Sequence, residues 1–386
     1  PGARSTRGRW PVARSAGRWA VLATSLWALL AGHAYAHRVF TCPPAGTGIT
    51  RIAATSEIFR IALAADGTRA VLANRAAGRL LSLDLTAEPP TLTAVGTSGI
   101  RTLATFPTGP GELPGHPEEL IWVGATEEFV GTLVARPGYA NPALASGGAC
   151  ADPEEFGTIL FRLGATATEV GEIFTLPGSC WIGAMAWQAG ADRLLLGWEY
   201  AAGAHAWSPR DGASERVPWP RGYGDVAALE VAKIDGHERV FAVSLWGTPG
   251  LSELDPETMN PIRTVAVGGV NYDVAVDAQR HRAYIASFYG SRVEIVDLDT
   301  FTLIGSIPTG LGTRALRVLA DRDLLLISSL YDGRLRVWDL RNERLLQTHQ
   351  VGGHVKDIGV DTERGRAFAW SQCGLLEVDL DRAAAR

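Results

Sequence analysis

The sequence predicts an all-β, seven-bladed β-propeller, and three observations carry that expectation. A unit of about 42 residues repeats along the chain. Each unit breaks into short β-rich segments separated by turn residues. The last unit lacks one strand, and an unclaimed strand-like segment near the other end of the chain matches the missing one.

The period is clearest in the C-terminal half. Val267-Gly268, Thr309-Gly310 and Val351-Gly352 close consecutive units, with glycines 42 and 42 residues apart. Asp297-Leu298, Asp339-Leu340 and Asp379-Leu380 are spaced 42 and 40 apart, and Asp255 sits 42 before Asp297. Inside a unit, residues 273–277, 283–287 and 293–298 are short, apolar-rich and bounded by Gly, Asp or Arg turns. Helical periodicity is absent, so four short strands per unit, a propeller blade, is the expected reading.

Extended backwards, the repeat gives blade 1 at 58–96, blade 2 at 101–178, blade 3 at 181–221 and blade 4 at 225–268. Blades 5 and 6 follow to Gly310 and Gly352, and blade 7 covers 354–380 with three strands. Residues 49–56 align with outer strands and are expected to complete blade 7, closing the ring and removing its sheet edges. Blade 2 is nearly double length. Its excess is read as an insertion, 127–156, after a strand at 120–125. Splitting blade 2 into two degenerate blades would give eight.

Two units resemble the YVTN-type propeller repeat, on Asp273-Val274-Ala275-Val276-Asp277, Ala283-Tyr284-Ile285-Ala286-Ser287 and Val293-Glu294-Ile295-Val296-Asp297-Leu298. Blade 6 resembles in part a WD repeat, through Asp332-Gly333-Arg334-Leu335-Arg336-Val337-Trp338-Asp339-Leu340 and the following Gly353-His354. The resemblance implies the fold and an exported or cell-surface setting. It implies no single activity, because such propellers host binding proteins, lactonases and quinoprotein subunits alike.

Residues 1–36 read as a secretory signal peptide. Arg4, Arg7, Arg9, Arg14 and Arg18 precede a short apolar stretch at 20–31, and Ala34-Tyr35-Ala36 forms an A-x-A cleavage site ahead of His37. The expected mature chain, 37–386, is one propeller with no membrane span, periplasmic or secreted. Without those five arginines, 31 basic residues face 41 acidic ones, a balance of −10. That disfavours nucleic acid as a partner. Four cysteines in an exported chain suggest two disulfides. Cys150 with Cys180 would pin the blade 2 insertion, and Cys42 with Cys373 would lock the closing blade.

No G-x-S-x-G, H-E-x-x-H or Walker-type loop is present. No metal site, cofactor or catalytic residue is therefore assigned, and a monomer is expected. Binding is expected at the mouth of the central channel, built from loops before inner strands and after second strands. The candidates there are Trp181, Trp198, Glu199, Asp225, Trp246, Tyr272, Asp273, Tyr289, Arg314, Tyr331, Lys356 and Asp357. Trp, Tyr and Arg dominate binding hot spots, and charges in a channel require partners. The function expected is binding of a partner protein or a small ligand at this face. The alternative is a lactonase-like hydrolase or a redox-subunit propeller, with Asp225, Asp273, Asp357 and Arg314 converging on one pocket.

Overall fold

The computed structural model describes residues 42–43, 48–55, 57–75, 77–96, 101–102, 115–135, 157–177, 182–199, 202–220, 223–245 and 250–381. It is a seven-bladed propeller. Six blades are four-stranded antiparallel sheets with consecutive strands side by side, and blade 2 has a fifth strand on its outer edge. In blade 5, for instance, Asn271–Asp277 lines the channel, and Arg282–Ser287, Arg292–Asp297 and Thr302–Pro308 follow outward.

The burial of each strand follows from its place in the blade. Second strands such as Arg69–Asn74, Leu324–Ser329 and Arg366–Ser371 are buried at every position after the first. They are covered on both faces by neighbouring blades, so they read as continuous apolar or small runs rather than alternating ones. The outer strand Thr302–Pro308 is exposed at five of its first six positions and needs no such pattern. The core divides accordingly, one apolar cluster to each blade-to-blade interface. Leu195, Ala206, Val226 and Leu229 join blades 3 and 4, and Tyr284, Val293, Leu316 and Leu325 join blades 5 and 6.

The ring closes as the repeat predicted. Ile49–Ala53 pairs antiparallel with Gly374–Asp379, Ile49 opposite Val378, and becomes the outer strand of blade 7. A Cys42–Cys373 disulfide, Cα atoms 5.6 Å apart, ties the two ends of the chain across 331 residues. Cross-links over loops this long constrain the unfolded chain by roughly 5 kcal/mol in the chain-entropy picture.

Blade 2 departs from the sequence reading. Its inner strand is Gly115–Val123, not a segment beginning at Arg101. Arg101–Thr102 instead pairs parallel with the outer strand Val170–Pro177, on the far edge. The insertion predicted at 127–156 begins later, because Glu128–Ala135 is the second strand of the blade. The strand expected at 120–125 ends at Val123, and residues 124–127 form the turn into the second strand. The cause is Glu118-Glu119, which interrupts an otherwise apolar strand where a β-bulge turns both side chains toward the channel. Residues 1–36, read as a signal peptide, residues 136–156, and the expected Cys150–Cys180 bond lie outside the described residues. Among the described residues, no helix is long and apolar enough to cross a membrane.

At the end of the channel away from the mouth, arginines link blades 3, 4 and 5 each to the next. Arg69, Arg193, Arg239, Arg282 and Arg366 occupy one repeat position, five residues before the end of the second strand. Arg193 donates to the Pro256 and Glu257 carbonyls at 2.7 and 3.0 Å. Arg239 donates to Glu253 at 2.7 Å and to the Leu298 carbonyl at 3.0 Å. Arg282 reaches Glu343 at 2.7 Å, and nearby Arg280 bonds both Asp277 and Asp323.

Candidate functional site

The register of the inner strands fixes which side chains meet at the mouth. Every inner strand of blades 1 to 6 carries a bulge near its start, as at Ile58/Arg60, Pro117/Leu120 and Asn271/Val274. Matching strands at this bulge stacks two rings of side chains. The upper ring is Phe59, Glu118, Gly183, Ala227, Tyr272, Arg314 and Lys356. The lower ring is Arg60, Glu119, Ala184, Ala228, Asp273, Ala315 and Asp357. Charged and aromatic residues come from blades 1, 2, 5, 6 and 7, whereas blades 3 and 4 supply only Gly and Ala. The mouth is therefore lopsided, and the small side leaves a cavity of about 400 Å³. Glycine is required at Gly183, where a Cβ would come 2.8 Å from the Val226 carbonyl oxygen and 2.9 Å from the Glu199 Cβ.

Below the mouth, ion pairs fill the channel. Arg60 holds Glu119 through two bonds of 2.8 Å, the bidentate geometry that favours arginine over lysine. Arg317 bonds Asp273 at 3.2 Å and also reaches Asp357. Each of these aspartates staples two blades. Asp273 accepts the N–H groups of Val274 and, in blade 6, Leu316, both at 2.9 Å. Asp357 accepts those of Ile358 and, in blade 1, Ile61, both at 2.9 Å. Glu230, also lining the channel, is pushed up to about 8 by burial, and Asp273 beside it adds to the rise against the pull of Arg317. It is largely neutral at pH 7.

Two groups in the mouth each keep a buried polar atom without a partner. The Arg314 guanidinium lies 3.8 Å from the centre of the Tyr272 ring, and its buried Nη1 has no hydrogen-bond partner. Burial and the nearby Arg60 lower it to about 10, so it is still a cation at pH 7. The other mouth cations are neutralised: Lys356 by Glu57, Arg60 by Glu119, and Arg75 by Glu118 at 3.1 Å. Glu118 is 6% exposed and uses Oε1 for Arg75, while its buried Oε2 has no donor. Burial raises Glu118 to about 7. Beside Arg314, Phe288 gathers Tyr272, Tyr289 and Tyr331 edge-on, with ring centres 4.9, 5.0 and 5.5 Å away.

Of the candidates read from the sequence, Tyr272, Arg314, Lys356 and Glu199 line the mouth, and Tyr289 and Tyr331 form its exposed rim. Asp273 and Asp357 line the channel, held in the ion pairs described above. Arg314 pairs with neither; Arg317, three residues on, is their partner. Trp198 is a correction. It is 2% exposed, ends its second strand opposite Ile182, and packs between blades 2 and 3. Asp225 is buried and lines neither cavity. Trp181 and Trp246 lie outside the described residues. Glu118, Glu119, Glu230 and Arg317 were missed. Setting the Glu118-Glu119 pair against Tyr272-Asp273 at the bulge would have found the first two. Among the described residues, no three His, Cys, Asp or Glu side chains are placed to hold a metal ion.

No protein-family profile matches the chain, and no curated protein matches its sequence. Likeness is found at the level of structure. The WD40 β-propeller domain of Doa1 is 13% identical with a TM-score of 0.61, covering 84% of this chain and 93% of that one. Dihydro-heme d1 dehydrogenase NirN, solved in complex with DHE, is 16% identical with a TM-score of 0.52. That match covers 77% of this chain and 58% of NirN. In all, 1610 solved chains are similar at this level, so what the likeness identifies is the architecture, a β-propeller.

Proposed function

We propose that this chain is a binding propeller that takes a small anionic ligand in its channel mouth. The observation that carries the reading is Arg314, the one mouth cation among those described with no carboxylate. An unpaired desolvated guanidinium is costly, and an anion entering the cavity offsets that cost. The cavity, about 400 Å³ and lined by Tyr272, Phe288 and Tyr331 together with charged side chains, is of the size of small-molecule sites. It suits a small molecule, or one inserted side chain of a partner protein, better than a flat interface.

Catalysis by the acids first suspected is disfavoured. Asp273 and Asp357 are each held by Arg317 and two backbone N–H groups, and Asp225 is away from the cavity. Carboxylates whose oxygens are already taken up by these partners are not presented to a substrate in the cavity. The reading places the protein outside the cytoplasm, as the YVTN-like repeat and the signal-like N-terminus suggest, and the Cys42–Cys373 disulfide fits an oxidising compartment. The test is a thermal-shift titration with hexanoate. Wild type is expected to gain stability with concentration and Arg314→Gln to gain none. An equal gain in both, or none in wild type, overturns the assignment.

A further inference from the structure

Building on the mouth as a ligand site, we propose that its ligand is a linear zwitterion, an anionic group seated on Arg314 and an ammonium donor at the far end seated on Glu118. The two residues hold equivalent upper-ring positions in blades 6 and 2. In a ring of seven, two blades lie between them on one side and three on the other. No pair of blades stands further apart. Both face the same cavity, and each keeps a buried polar atom with no partner, Arg314 Nη1 and Glu118 Oε2. They do not bond each other, so the width of the mouth separates an unmet cation from an unmet carboxylate oxygen. Orphaned buried polar atoms are costly, the more so where the group is charged.

One molecule with complementary ends answers both. A simple carboxylate or an inorganic anion satisfies Arg314 and leaves Glu118 as it was. A dianion long enough to cross the mouth puts its second charge beside Glu118, Glu119 and Glu199, where like charges repel. A donor there is met instead by carboxylates. The stretch between the two ends suits an apolar body. On one side Gly183 and Ala227 leave room, with Tyr272 and Phe288 next to them on the Arg314 flank; on the other, Phe59 lies beside Lys356, which Glu57 neutralises. ω-Amino carboxylic acids and short free peptides have this layout.

The experiment is calorimetric titration of the full chain at pH 8, where Glu118 is mostly ionised, with 6-aminohexanoate and 8-aminooctanoate against hexanoate and octanoate. The amino acids are expected to bind about tenfold tighter than the matched carboxylates. Arg314→Gln should lose all four ligands. Glu118→Gln, which keeps an acceptor for Arg75, should shrink the advantage of the amino acids to within about threefold and leave the carboxylates unchanged. If the carboxylates bind and the amino acids bind no tighter, the zwitterion is overturned and the anion site stands. If the preference persists in Glu118→Gln, the donor is read elsewhere and the assignment fails. If none of the four binds wild type at about 10 mM, the reading of the mouth as an anion site falls with it.

Discussion

Arginines at the two ends of the channel live under different rules. Away from the mouth, Arg193, Arg239, Arg263 and Arg280 each reach a carbonyl or carboxylate of the next blade, so the fold supplies each of these guanidinium groups with a partner. At the mouth, Arg60 and Arg317 are neutralised in the same way, but Arg314 is not, although it lies on the same strand as Arg317. Partners inside the fold mark residues that hold blades together. A buried charge that the repeat leaves unmet marks a place where the partner comes from outside. The contrast within one strand makes that distinction sharper than any list of channel residues.

The largest effect expected from breaking this contrast is on the saturated side. Asp357→Ala removes the acceptor for Ile61 and Ile358 N–H and leaves Arg317 with Asp273 alone. Leaving two buried N–H groups without an acceptor costs about 1–3 kcal/mol each, read as a fall in the denaturant midpoint. A loss under about 1 kcal/mol would mean the lower ring does not staple the blades.

Next in size is a pH effect at Glu118. Its folded value, about 7, lies above its ordinary 4.5. A group raised in this way contributes stability at pH below its ordinary value, and loses that contribution as pH rises through its folded value. Ligand-free protein should therefore lose up to about 3 kcal/mol between pH 5 and 8 relative to Glu118→Gln. The charged groups facing Glu118 are Arg75, Arg60, Glu119 and Glu199. The measurement is chemical denaturation across that range. Parallel curves for wild type and variant would show that Glu118 is solvated in the folded protein.

The smallest effect on stability belongs to Arg314→Gln. It should change unfolding free energy by no more than about 1 kcal/mol, since it gives up one cation–π contact and relieves one unpaired buried charge.

The fold was legible because a propeller repeats its packing, and repeated glycines and Asp-Leu turns survive as spacing. Blade 2 was misread because function-side residues intrude on the pattern. Glu118-Glu119 breaks the apolar run that marks an inner strand, so an earlier segment, beginning at Arg101, was read in its place. Trp198 looked like a mouth residue because it follows a small residue near the end of a second strand. Its register opposite Ile182 instead puts it in a blade interface. Arg314 stood out because it replaces Tyr272 and Lys356 at one repeat position. Its lack of a partner could not be read, since pairing in the channel joins residues such as Arg60 and Glu119, 59 positions apart, or Arg317 and Asp357, 40 apart.

The central claim is that Arg314 is free for a ligand while Arg317 is committed to the fold. It is tested most directly by measuring hexanoate affinity and unfolding free energy side by side in Arg314→Gln and Arg317→Gln. The account predicts that Arg314→Gln keeps its stability and loses binding, whereas Arg317→Gln loses about 3 kcal/mol of stability and, where still folded, binds. Hexanoate binding intact in Arg314→Gln, or equal destabilisation by the two substitutions, would contradict it.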